Sequence, residues 1–100
     1  MKMVLVVFHA EYEDTMRGLF ERLHLPGFTE VRQVFGAGEA GKRFETHVFP
    51  GHDTMVFSVL ADDEAGRVVQ AVKEVKAALG ARQKRPGGVK VFVLPVLEAA

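Results

Sequence analysis

The stretch Arg82-Gln83-Lys84-Arg85-Pro86-Gly87-Gly88-Val89-Lys90 holds four cations and no acid, inside a chain whose formal net charge is +0. Adjacent glycines let backbone N–H groups converge on an anion, and lysine and arginine bring charge to phosphate oxygens. The same residues also read as a solvated basic turn between a helix and a strand, because cations are favoured at a helix C-terminus. No Ser or Thr follows Lys90, so a P-loop is excluded. Gly36-Ala37-Gly38 is a second place where backbone can approach a ligand closely, and equally one where a chain simply turns.

The four histidines are His9, His24, His47 and His52. His47 and His52 flank Val48-Phe49-Pro50-Gly51, where a hairpin brings two imidazoles to one metal ion. Two ligands without a third form an incomplete set, and loop histidines in solvent are the alternative. The acid pairs Glu11/Glu13 and Asp62/Asp63 stand at the starts of predicted helices, where negative charge is stabilising in its own right. No Ser/His/Asp or Cys/His arrangement is visible, so the chain reads as a non-enzyme.

The elements that must position these residues follow from apolar periodicity. Met3 to Phe8 is a continuous apolar run, a strand covered on both faces or central in a sheet. Tyr12, Met16, Leu19, Phe20 and Leu23 form one helical stripe, stopped by Pro26 and Gly27. Phe28 to Phe35, interrupted by Glu30, Arg32 and Gln33, predicts an edge strand with a solvated face. Gly36 to Gly51 reads as a long loop or an extended hairpin arm. Thr54 to Leu60 is the second strongly apolar strand. Asp62 or Asp63 is placed to cap a helix carrying Ala65, Val68, Val69, Val72, Val75 and Leu79, with Gly80 as its end. Arg82 to Gly88 is then a loop, and Val89 to Leu97 the last strand.

The order is strand–helix–strand–strand–helix–strand. The two continuous strands belong at the centre, and the polar second strand and Pro95-bearing fourth strand at the edges. That is an α+β, ferredoxin-like βαββαβ fold with antiparallel order 4-1-3-2, both helices covering one face as right-handed crossovers. The other face then carries buried-type residues such as Phe57 and Phe92, which oligomerisation is the simplest way to cover.

Composition agrees. One hundred residues make a single domain, here 1–100, and 48% hydrophobic with 26% charged residues is an ordinary globular balance. Zero net charge removes a global attraction for nucleic acid or an anionic membrane. The absence of cysteine excludes disulfides, thiolate metal sites and a cysteine nucleophile. Lys2 and the run after it are too short for a signal peptide or a membrane span, so the expectation is a cytoplasmic protein with no membrane insertion.

The order of elements, the long segment after strand two, and Gly87-Gly88-Val89-Lys90-Val91-Phe92-Val93 together resemble the PII signalling family. That family enters its last strand through Gly-Asp-Gly-Lys-(Ile/Val)-Phe-Val, and it carries a Gly-x-Gly after strand two, here Gly36-Ala37-Gly38. The chain departs from the family at Gly88-Val89, where Asp-Gly is usual, and at Glu39, where glutamine is usual. The resemblance implies a homotrimer of ferredoxin-like subunits with sheets lining the centre and nucleotide between subunits. It implies ATP or ADP as ligand, in family members often with 2-oxoglutarate and Mg²⁺, held by Gly36, Ala37, Gly38, Gly87, Gly88, Val89 and Lys90. It implies an effector protein, such as a transporter, met by the 36–51 loop. The alternative is a trimer similar to the CutA proteins or to efflux-associated relatives, responding to metal through His47 and His52.

Overall fold

The structure, a computed structural model, describes residues 1–38, 41–44, 51–83 and 88–100. Strand β1 spans Lys2–His9, a 3-10 turn Ala10–Tyr12, and helix α1 Glu13–Leu23. Strand β2 (Thr29–Val34) is followed by two short strands, β3 (Gly36–Gly38) and β4 (Gly41–Arg43). Strand β5 (Asp53–Leu60), helix α2 (Asp62–Gln83) and strand β6 (Val89–Pro95) complete the order.

The main sheet is antiparallel and runs β2-β5-β1-β6, while β3 and β4 pair only with each other. This written order differs from the expected 4-1-3-2 because the segment after β2 folds as its own hairpin and adds two strands to the count. The central strands are the two continuous apolar ones, and β2 and β6 are the edges. β2 ends irregularly: its register shifts between Val31 and Val34, where Gln33 takes φ 58°. A bulge of this kind bends a strand and terminates its pairing, which separates β3 from the main sheet.

Alternation sorts the sheet residues into two faces. Val4, Val6 and Phe8 of β1, Val56 and Leu60 of β5, and Val89 of β6 are buried under the helices. Met16, Leu19, Phe20 and Leu23 meet them from α1, and Ala65, Val68, Val72 and Leu79 from α2. Both helices differ from expectation at their ends. Tyr12 lies in the 3-10 turn rather than in α1. Asp62 and Asp63 sit in the first turn of α2, which runs past Gly80 to Gln83. A single glycine costs a helix only about 1 kcal/mol, and the wholly buried-type stripe through Leu79 outweighs that. Arg82 and Gln83 are therefore helical, not loop. The Asp62 carboxylate receives the Met1 ammonium at 2.8 Å; that hydrogen bond, and then the ammonium charge, hold it below the usual carboxylate range.

The turn from α1 to β2 is tied down at three points. His24 ends α1 in the left-handed region, its N–H donating to the Glu21 carbonyl at 3.2 Å. The Arg67 guanidinium donates to the Leu23 carbonyl at 3.0 Å, and the Ser58 hydroxyl donates to the carbonyl of Gly27.

On the opposite face nothing from the described residues covers Met3, Leu5, Val7, Met55, Phe57 and Val59, which cross-pair as one block. Phe92 and Leu94 extend that block on β6, Phe92 being 50% exposed. Met16 is fully buried between α1 and the sheet. Met16→Ala is expected to lose about 2–5 kcal/mol, the usual result of removing such a side chain without full collapse of the cavity. Urea unfolding followed by circular dichroism measures it.

Candidate functional site

β1 ends where β5 and β6 begin, so one end of the sheet gathers chain segments that are far apart in sequence. The residues Val34, Asp53 and His9 lie in one row across the strands, Asp53 pairing with each of the other two. Gly88 continues the row, its carbonyl accepting the His9 N–H at 2.9 Å. His52 joins the same end, its carbonyl accepting the Ala10 N–H at 3.2 Å.

His9 occupies the centre of this end. Its ring lies parallel to Tyr12 with centroids 6.0 Å apart. Nδ1 is 3.5 Å from a Glu11 carboxylate oxygen and Nε2 is 4.0 Å from one of Asp53. The other flank of the ring rests on Gly88, where any Cβ would collide with the imidazole. Glycine is required at 88 by this packing, in addition to any ligand's need for close approach. Asp53 is buried. Neither His9 nor Asp53 stood out in the sequence as a site residue. The available signal was that each places a polar group on the otherwise apolar uncovered face.

The proposed phosphate residues divide as follows. Lys90 is exposed and pairs with Val7, so it stands on the uncovered face at the β6 edge. Val89 is completely buried and pairs with Phe8, so its side chain belongs to the core and only its backbone could serve a ligand. Gly87 lies outside the described residues, as do Lys84, Arg85 and Pro86. Gly36, Ala37 and Gly38 pair with Arg43, Lys42 and Gly41 in the separate hairpin. They leave the sheet from β2, the edge opposite Lys90. Three strand spacings of about 4.8 Å put the two edges roughly 14 Å apart within one chain. One subunit therefore does not bring the two glycine segments together.

Of the metal candidates, His52 precedes β5 and His47 lies outside the described residues. Among the described residues no group of three or more His, Asp or Glu side chains is placed to hold a metal ion.

Comparison with known proteins adds the following. The family model described as nitrogen regulatory protein P-II matches residues 1–100. Comparison with curated protein sequences finds no match. A solved protein from Thermus thermophilus, described as a PII-like signalling protein, superposes with a TM-score of 0.66 at 19% identity, over 95% of this chain and 85% of that one. CPII from Thiomonas intermedia, a nitrogen regulatory PII-like protein solved with ADP, AMP and bicarbonate, gives 0.64 at 16% identity, over 95% and 92% of the two chains. A further CPII structure, with ADP, AMP and acetate, gives 0.62 at 14% identity, over 97% and 88%. At these identities the superpositions establish the shared fold.

The contact between His9 and Gly88 is open to direct test. Gly88→Ala is expected to cost about 1–3 kcal/mol through overpacking. His9→Ala in the same chain should recover most of that loss by making room for the methyl group. Denaturant unfolding of the two single variants and the double variant reads the coupling.

Proposed function

The chain belongs to the nitrogen regulatory protein P-II family, and we propose that it acts as a homotrimeric regulatory protein that binds an adenine nucleotide, ATP or ADP, between its subunits. The observation that carries this reading is the uncovered apolar face of the sheet. Fully burying an exposed side chain of this kind is worth about 1.5–3 kcal/mol, and the half-exposed Phe92 and Leu94 stand to gain a good part of it in an assembly. A monomer would leave a contiguous patch of the kind that marks an interaction surface.

Threefold closure with the sheets turned inward sets the β6 edge of one copy beside the β2 edge of the next. Lys90 and the Gly88 backbone then face the Gly36–Gly38 segment of a neighbouring copy, at the same end of the sheet. This gives the two glycine segments, separated in one chain, a common cleft. Converging backbone N–H groups and the Lys90 ammonium suit a phosphate chain. CPII, a relative in fold, was solved with ADP and AMP, which supports an adenine nucleotide as the ligand.

In this reading residues 1–100 act as one ferredoxin-like domain. The segment 36–51 leaves the sheet next to the cleft and carries the bound state to an effector protein, such as a transporter. The role is regulatory rather than catalytic, and the reading extends to a cytoplasmic location. No helix among the described residues is long and apolar enough to cross a membrane. The metal-responsive alternative gains no supporting contact among the described residues.

Two outcomes are expected. Light scattering at micromolar concentration should give three times the 11.0 kDa mass of the chain, and a persistent monomer defeats the assembly. Calorimetry against ATP and ADP should show Lys90→Ala weakening binding by about 10- to 100-fold, the worth of one charge-assisted phosphate contact of roughly 1.5–3 kcal/mol. The variant should remain trimeric, since Lys90 stands at the polar end of the uncovered face, beyond the apolar block of Leu5, Phe57 and Phe92.

A further inference from the structure

On the helix-covered side of the sheet, α1 and the edge strand β2 enclose a cavity of about 320 Å³. This is within the roughly 300–1,000 Å³ range of small-molecule sites. Its floor is aromatic: the Phe8 and Phe20 ring centroids are 6.4 Å apart, and those of Phe20 and Phe28 are 6.2 Å apart. Phe8 and Phe20 are buried, while Phe28 is 54% exposed and forms the open wall.

The rim is charged, and its charges are unevenly paired. Arg32 lies 3.3 Å from Glu13 and 3.1 Å from Glu30, so one guanidinium holds both carboxylates. Arg17 is occupied by Glu13 at 3.7 Å and by Asp14 at 3.6 Å. Glu21 also lines the cavity, and among the described residues its carboxylate has no ion pair. The exposed Glu21 carboxylate shares the rim of the cavity with Arg17 and His24.

We propose that this cavity binds a small organic cation with an aromatic or branched apolar body. The ammonium group sits at Glu21, and the apolar body lies on Phe8, Phe20 and Phe28. Carboxylate and ring faces act in the same direction, since a phenyl face also attracts a cation by about 0.5–1 kcal/mol at such sites. A neutral ligand gains only the apolar part, and an anion meets repulsion at the rim.

The cavity is preformed rather than created by the ligand. The turn that supplies Phe28 is fixed by the Arg67–Leu23, His24–Glu21 and Ser58–Gly27 hydrogen bonds. It also stands apart from the nucleotide reading. Phe8 and Glu30 project on the helix side, because Glu30 pairs with Val56 of the covered face.

The test is titration of the ¹⁵N-labelled protein with 2-phenylethylammonium, 2-phenylethanol and 3-phenylpropanoate, read by amide chemical shifts. The expected result is saturable shifts around residues 20–30, with the ammonium compound bound at least about fivefold tighter than the alcohol. Glu21→Gln, a surface change, should remove that preference while leaving the alcohol unaffected. Phe28→Ala should weaken both compounds. Equal binding of alcohol and ammonium compound, or preference for the carboxylate, overturns the proposal. So do an unchanged preference in Glu21→Gln and the absence of saturation at about 10 mM, above the roughly millimolar Kd of so small a ligand.

Discussion

Both helices pack on one face of a four-stranded sheet, and the other face is as apolar as a core. Leu5, Phe57 and Phe92 stand in one row across three strands of that face. The geometry of the molecule turns on this imbalance. A sheet with one solvated face alternates apolar and polar residues. In β1 the uncovered positions are Met3, Leu5 and Val7, with His9 as the first polar one. The sequence of β1 is that of a strand with a second protein surface against it, which is what the proposed assembly supplies.

That constraint also accounts for where chemistry can be placed. The apolar block stops at one end of the sheet, where His9, Asp53 and Lys90 replace hydrophobic side chains. His9 ties β1 to the start of β6 through the Gly88 carbonyl and ring contact, and to β5 through Asp53. A ligand reaching this end meets backbone that is already held in register. The two glycine segments lie at this end but on opposite edges, so a site built from both requires a neighbouring copy. In the proposed reading, assembly and ligand binding are two uses of the same surface, the core of the patch supplying cohesion and its polar end supplying recognition.

Much of this was readable from residue types. Continuous apolar runs identified β1 and β5 as central, because a strand covered on both faces cannot alternate. Glu30 and Arg32 marked β2 as an edge. The boundaries that failed did so where tertiary packing outweighs local preference. Gly80 looked like a helix stop, yet one glycine costs a helix only about 1 kcal/mol, and α2 runs on to Gln83. Gly36 to Gly51 read as a long loop or an extended hairpin arm, since three residues with two glycines have no strand signature of their own; Gln33 at positive φ ends the main-sheet pairing, and Gly36 to Gly38 form a hairpin with β4. His9 was invisible as a site residue because its partners, Gly88 and Asp53, are brought to it only by sheet register. The cavity beneath Phe28 was invisible for a similar reason. Phe8, Phe20 and Phe28 each fit an ordinary core or strand position, and only the gap between α1 and β2 gives them a common face.

The central claim is that the nucleotide site exists only in the assembly, and ADP calorimetry on a matched pair of proteins tests it most directly. Phe92 is half-exposed in the isolated chain, so Phe92→Glu places a charge in the subunit contact at little cost to the fold. The wild type is expected to be trimeric and to bind ADP, whereas Phe92→Glu should be a folded monomer, by its amide spectrum, that does not bind it. A Phe92→Glu monomer that binds ADP as tightly as the wild type would contradict that claim.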